Sequence, residues 1–184
     1  MHILKIPEQQ LYDERDSMFY KIPATTLHLE HSLVAISKWE AKWQKPFLDL
    51  HTEKTVEEVM DYIRCMCVEP EDEYDPRVWL ALSRKDVKEI EDYISNKMTA
   101  STVTNHGGKG PQRRAQVITS ELLYYYLSAF GIPFDCENWH LARLMMLIQI
   151  AAAEQQGGKK MPRNEMISQR NALNKARQAK MRPR

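Results

Sequence analysis

Residues 139–153 read Trp-His-Leu-Ala-Arg-Leu-Met-Met-Leu-Ile-Gln-Ile-Ala-Ala-Ala, the most apolar stretch of this 184-residue chain. Apolar side chains fall on nearly every side of the helical period, and this pattern predicts a helix that is buried all round. Such a helix belongs at the centre of a helical bundle, so we expect a mainly α fold built around it. The stretch is too short to span a bilayer and therefore does not predict a membrane helix.

Four more helices are predicted between residues 32 and 130, because apolar residues recur there at helical spacing. They run from Ser32 to Pro46, from Thr55 to the residue before Pro70, from Ser83 to Asn96, and from Thr119 to Phe130. Two of their starts carry a capping-box pair three residues apart, Thr55 with Glu58 and Ser83 with Asp86. Gly131 follows the last of the four as its expected terminator.

The first 30 residues have a different pattern. His2–Ile6, Met18–Ile22 and Thr25–Leu29 are short stretches rich in β-branched and aromatic residues, which predicts two or three strands in a small hairpin or meander. The polar stretch from Gln9 to Asp16 is expected to be a loop. We therefore divide the chain into a β-rich segment (1–30), a helical domain (31–156) and a C-terminal arm (157–184).

The charge is unevenly distributed. The whole chain has a net charge of +1, but residues 157–184 contain nine basic residues and one acid, Glu165, so this arm carries +8 and the rest carries −7. Helix formers between Pro162 and Lys180 predict a basic helical arm. Its candidate contact residues are Lys159, Lys160, Arg163, Arg170, Lys175, Arg177, Lys180, Arg182 and Arg184.

Three roles of the arm stay open: solubility, docking on an acidic protein surface, and contact with the nucleic-acid backbone. The arm contains no Phe, Tyr or Trp on which a base could stack, so a nucleic-acid contact would be made to phosphates without sequence readout. Nucleic acid is the least favoured of the three.

Catalytic and metal-binding patterns are weak. The Gly-rich run at 107–110 lacks the Lys-Ser/Thr pair of a phosphate-binding loop. Four residues supply the number of ligands that a zinc site needs: Cys65, Cys67, Cys136 and His140. Cys65 and Cys67, however, are two residues apart on a predicted helix and therefore lie on different faces. A metal-dependent enzyme that uses Cys136 and His140 is kept as a remote alternative. We predict no catalytic residues, no metal and no cofactor.

The candidate contacts for a protein partner are large aromatic side chains. Trp39 and Trp43 lie one helical turn apart and could form an apolar surface of the kind enriched at interfaces, although core packing is the more common role. Three consecutive tyrosines, Tyr124 to Tyr126, must point in different directions on a helix, so at least one hydroxyl should reach the surface. Tyr125, His140 and Arg143 complete the candidate interface.

Several blocks resemble a family of small proteins encoded by tailed bacteriophages and prophages. The similar blocks are residues 37–48 (SKWEAKWQKPFL), 61–66 (DYIRCM), 132–145 (IPFDCENWHLARLM) and the tail 159–174, from KKM through NALN. Members of that family are often labelled tail assembly chaperones or morphogenesis proteins. The resemblance covers about residues 37–179 and implies no catalytic residues.

From the resemblance we expect a non-enzymatic morphogenesis protein of the tail or neck, present as a structural subunit of the virion. A transient chaperone of the tape-measure or tail protein is the first alternative, and a nucleic-acid-backbone-binding protein is the second. The expected partners are other phage structural proteins and copies of the chain itself. Three cysteines and no secretory signal place it in the host cytoplasm during assembly, and in the virion if it is a subunit.

Overall fold

The computed structural model describes residues 1–13, 17–49, 51, 53–70, 73–101 and 117–157. The strands are β1 (His2–Ile6), β2 (Gln9–Asp13), β3 (Met18–Ile22) and β4 (Thr25–Leu29). The α-helices are α1 (Leu33–Trp43), α2 (Val56–Cys65), α3 (Arg84–Ile94), α4 (Ser120–Phe130) and α5 (Leu141–Gly157), and 3₁₀ helices cover Pro76–Ala81 and Phe134–Asn138. The predicted mainly α fold with a small N-terminal β element is confirmed.

Two compact units divide the chain, Met1–Gln149 and Ile150–Arg184. The β-rich segment 1–30 therefore belongs to the same unit as α1 to α4. Apart from Gly157, the predicted basic arm lies outside the described residues. Within the ranges described, no helix combines the length and the apolar character needed to cross a membrane.

The four strands form one long β-hairpin with an interruption in its middle. His2 pairs with Leu29 and Ile6 with Thr25, and beyond the interruption Gln9 pairs with Ile22 and Asp13 with Met18. The register is therefore the same on both sides of the break. Pro7 and Pro23 lie in the break on opposite arms, and because proline has no amide hydrogen, the ladder of hydrogen bonds stops there.

The expected loop from Gln9 to Asp16 was wrong in its first part. Residues Gln9–Asp13 form β2, which pairs with β3 along its whole length. The polar composition of this stretch predicted a loop. It is nevertheless compatible with a strand, because this half of the hairpin is largely exposed and an exposed face of a two-stranded ribbon needs no apolar side chains. Residues 14–16 lie outside the described part.

The half of the hairpin nearer its open end packs into the core. Leu4, Ile6, Leu27 and Leu29 are buried, whereas the side chains between them are more exposed. This alternation is the two-residue period of a strand with one face on a core. The chain after α2 extends the pairing, since Val68 N–H donates to the carbonyl of His28 at 3.0 Å.

Local signals fix where most helices begin. The capping boxes at Thr55–Glu58 and Ser83–Asp86 are both present, with each side chain bonding the other residue's backbone amide. Thr119 caps α4, and Gly131 ends this helix with a φ of 65°, a left-handed conformation that costs glycine little. These predictions are confirmed.

The start of α5 was predicted two residues too early. Residues Phe134–Asn138 form a 3₁₀ turn, and His140 precedes the helix as its N-cap. The Ala142 N–H donates to Nδ1 of His140 at 3.2 Å, and the Leu141 N–H donates to the carbonyl of His31 at 2.7 Å. The helix is also not buried all round: Leu141, Leu144 and Ile148 are buried, whereas residues 145–147 are partly exposed.

A buried carboxylate joins α1 to α4. Glu40 is 7% exposed, and its two oxygens accept from the backbone N–H groups of Phe47 and Ser120, each at 2.7 Å. Ser120 is the first residue of α4, where the amide groups and the helix dipole both favour a negative charge. This one side chain therefore satisfies a loop amide and a helix N-terminus that lie far apart in the sequence.

We expect Glu40→Gln to lower the free energy of unfolding by about 2 kcal/mol, because an amide nitrogen would then face a backbone N–H donor. Urea unfolding with an unchanged m-value would measure the loss. Exposed Glu53→Gln is the matched control and should change the midpoint little. Equal midpoints for the two variants would contradict the role of Glu40.

Candidate protein-interaction surface

Trp39 is a core residue. It is 1% exposed, and its indole nitrogen donates to the carbonyl of Glu58 at 2.8 Å. Its ring meets Phe47 edge to face with centroids 5.1 Å apart. A side chain enclosed in this way is not accessible to a partner, so Trp39 is removed from the candidate interface. The reason is that α2 and the loop after α1 cover this face of α1.

Trp43 keeps part of its ring accessible. Its indole nitrogen donates to one oxygen of Asp61 at 2.8 Å, while the Lys42 ammonium lies 2.5 Å from the other oxygen. Both side chains of α1 are thereby tied to α2 through one carboxylate that is 7% exposed. Trp43 is held rigidly at the edge of the core, with limited area left for a partner.

His140 is also removed from the candidate interface, because it is 3% exposed. Its Nδ1 accepts from the Ala142 N–H, which leaves Nε2 to carry the proton and to donate to the carbonyl of Tyr93 at 3.2 Å. Both ring nitrogens are therefore occupied by backbone groups. In this state neither nitrogen is free to move a proton for a substrate.

A second buried histidine lies beside it. His31 is 5% exposed, its ring centroid is 5.2 Å from that of His140, and its Nδ1 lies 2.5 Å from the hydroxyl of Tyr62. Burial, together with the neighbouring His140, lowers the pKa of His31 to about 4. Burial also lowers the pKa of His140. Both rings are neutral packing groups near pH 7.

The tyrosine prediction is confirmed for the exposed member of the triplet. Tyr125 is 65% exposed, whereas Tyr124 and Tyr126 are half-buried. Tyr124 lies 6.4 Å from Phe134 between ring centroids, and burial with a hydrogen bond to Glu137 raises its pKa to about 12. Of the three hydroxyls, that of Tyr125 is presented most openly by α4.

Two exposed aromatic residues were missed by the sequence reasoning. Phe134, the first residue of the 3₁₀ turn before α5, is 56% exposed, and Trp139, which follows the turn, is 39% exposed. The Arg143 guanidinium lies over the Trp139 ring, 4.9 Å from its centroid. Trp139 and Arg143 are four residues apart, a spacing that indicates one shared helix face. The apolar pattern of residues 139–153 instead predicts burial on all sides. We call the exposed side chains of Phe134, Trp139 and Arg143, in and after the 3₁₀ turn, the aromatic surface.

The remaining predicted sites are placed as follows. All nine arm residues from Lys159 to Arg184 lie outside the described residues. Cys65 is partly exposed, and Cys67 and Cys136 are buried free thiols. Burial, reinforced by a hydrogen bond with Glu69, raises the pKa of Cys67 to about 11, which makes it a poor nucleophile and ligand. In the part of the chain that the structure describes, His, Cys, Asp and Glu form no group of three that could hold a metal ion.

Comparison with known proteins adds no relative. No protein-family model matches this chain, and neither a curated protein nor a solved structure matches it. The sequence blocks and the geometry of the described residues are therefore the basis for proposing a function.

The buried histidines predict a loss of stability in mild acid. The folded-state pKa of His31, about 4, lies below its ordinary value of 6.5. Its contribution is therefore fully present above pH 6.5 and is lost as the pH falls from 6.5 towards 4, by about 3 kcal/mol. We expect unfolding free energies at pH 7, 5.5 and 4.5 to fall less steeply for His31→Phe than for the natural protein.

Exposed His51 supplies the control, since His51→Gln should keep the pH dependence of the natural protein. A His31→Phe variant whose stability falls with pH as steeply as that of the natural protein would show that His31 is not the titrating group.

Proposed function

We propose that this chain is a non-enzymatic bacteriophage morphogenesis protein of the tail or neck. It acts through protein–protein contacts and remains in the virion as a structural subunit. The proposal combines the similarity of the sequence blocks with the exposed aromatic surface, and it includes other phage structural proteins and copies of the chain as partners. In this proposal the chain is located in the host cytoplasm during assembly and in the particle afterwards.

The observation that carries the proposal is the stacked pair of Trp139 and Arg143. Tryptophan and arginine are the side chains most enriched among the residues that dominate binding energy at interfaces. Here the guanidinium covers an indole ring that is itself 39% exposed. The stacking restricts both side chains before a partner arrives, which lowers the entropy lost on binding.

The same pair divides residues 139–144, which belong to the 132–145 block of the resemblance, into two roles. Within residues 139–144, His140, Leu141 and Leu144 are buried, whereas Trp139 and Arg143 are exposed. The buried members hold the start of α5 in the core. The exposed members remain for a partner, and an exposed Trp–Arg pair supports an interaction role for this block.

A non-enzymatic role is supported by the surroundings of His140 and Cys136, the two side chains that a metal-dependent enzyme would use here. The imidazole of His140 bonds backbone groups through both nitrogens, and Cys136 is 5% exposed. Neither group is open to a substrate. Both are accounted for by packing around the 3₁₀ turn and the first residue of α5.

The helical bundle and the basic arm belong to the same proposal. In it, the helices form a bundle, and the +8 arm docks on an acidic surface of a neighbouring subunit or another phage protein. Chaperone and subunit roles use the same contacts and differ in whether the chain leaves the assembly. A nucleic-acid role would instead appear as DNA binding that weakens with salt at a log–log slope of about −0.9 per neutralised phosphate.

Quantitative mass spectrometry of purified particles tests the proposal. The natural chain should be present in several copies per particle, and Trp139→Ser with Arg143→Ser should reduce its incorporation about tenfold or more, because a hot-spot pair is lost. The urea midpoint of the double variant should stay close to that of the natural protein.

Leu80→Ser is the matched control, because Leu80 is 69% exposed and lies outside the aromatic surface. It should leave incorporation unchanged. A chain that is absent from particles but present in assembling lysates would be a transient chaperone and not a subunit. Normal incorporation of the double variant would show that the aromatic surface has no role in assembly.

A further inference from the structure

A second surface, separate from the aromatic surface, is a groove between α2 and α3. It has a volume of about 520 Å³. Its lining contains five apolar and four charged side chains: Lys54, Val56, Val59, Met60, Leu82, Arg84, Val87, Lys88 and Glu91. We call it the α2–α3 groove.

The apolar part of the groove lining is accessible. Val56 is 81% exposed at the first residue of α2, and Val59 and Met60 are half-buried on the next turn. Leu82 and Val87 contribute from the other side and are also half-buried. Val56, Val59 and Met60 follow the i, i+3, i+4 spacing of one helix face. A contiguous apolar strip on two neighbouring elements is the form of surface that accepts an amphipathic helix.

The charged part of the groove lining is mainly positive. Three cations, Lys54, Arg84 and Lys88, contribute to it against one acid, Glu91. The ammonium of Lys54 lies 4.7 Å from the centroid of the half-buried Phe47 ring. Arg84 and Lys88 are both exposed and lie one turn apart on α3. Cations therefore line the groove both from the residues just before α2 and from α3.

Arg84 is also in an unfavourable place for the helix that carries it. It is the first residue of α3, where the helix dipole and the unpaired amide groups favour a negative charge. The capping residue Asp86 supplies the acid in this turn, yet Arg84 and Lys85 add two cations beside it. An anionic partner in the groove would offset this repulsion.

We infer that the α2–α3 groove binds an acidic amphipathic helix of another protein. Apolar residues of that helix lie on the strip, and its Asp or Glu side chains meet Lys54, Arg84 and Lys88. The chain's own arm does not fit this site, because its charge is +8 and would be repelled by the same three cations. This inference does not depend on the bacteriophage proposal.

Fluorescence anisotropy of the full chain with two labelled 16-residue peptides tests the inference. One carries leucines at i, i+3, i+4 and i+7 with glutamates beside them, and the other has every glutamate replaced by lysine. The acidic peptide should bind at least tenfold more tightly than the basic one. Amide NMR shifts should be concentrated at Val59, Met60 and Val87.

The double variant Arg84→Glu with Lys88→Glu should reverse the order of the two peptides. At position 84 the glutamate suits the helix dipole, and a urea midpoint for the double variant checks that it remains folded. The control, Lys85→Glu with Lys97→Glu, changes the net charge equally at exposed positions outside the groove lining and should keep the original order.

The inference is overturned if neither peptide binds, if the Arg84/Lys88 variant keeps the original preference, or if the NMR shifts lie elsewhere. Loss of peptide binding as the protein concentration rises would assign the groove to a second copy of the chain instead. The phage proposal would survive each of these results, since its test concerns the aromatic surface.

Discussion

The buried carboxylate of Glu40 joins two separate parts of the core, the loop after α1 and the start of α4. It accepts one hydrogen bond from the loop after α1 and one from the first residue of α4, and it is buried where water could not replace either donor. Two unsatisfied amide groups in that position would each cost about 1–3 kcal/mol. The placement of α4, and of the tyrosines that it carries, depends on this bridge.

A second connection joins the β-hairpin to the start of α5. The carbonyl of His31 accepts from the Leu141 amide, the two imidazole rings of His31 and His140 are in contact, and Tyr93 of α3 donates its hydroxyl to Glu30 at 2.6 Å. These polar groups are buried but paired, which is the condition under which burial of polar groups is tolerated. The hydrogen bond between His31 and Leu141 fixes the first turn of α5. In that position the side chains of Trp139 and Arg143 are exposed.

The two surfaces that follow from this core are chemically different. The aromatic surface offers rigid rings with one guanidinium, whereas the α2–α3 groove offers an aliphatic strip between cations. Rings of this kind suit a tightly packed protein interface, and the groove suits a partner that brings negative charge. In the two proposals taken together, one chain binds two different partners through these two surfaces.

Local chemistry determined where α2, α3 and α4 begin and where α4 ends. The capping boxes at Thr55 and Ser83, the cap at Thr119 and the left-handed Gly131 depend on residues within a few positions of each other, so the sequence alone placed them. Strand β2 could not be predicted, because its polar residues form a strand through the register of the whole hairpin. Tertiary structure also decided the site: Trp39 and Trp139 are both tryptophans at helical spacing from a neighbour, yet one is enclosed and the other exposed. Periodicity defines the faces of a helix, but burial depends on which face another element covers, and that is settled only when distant segments pack together.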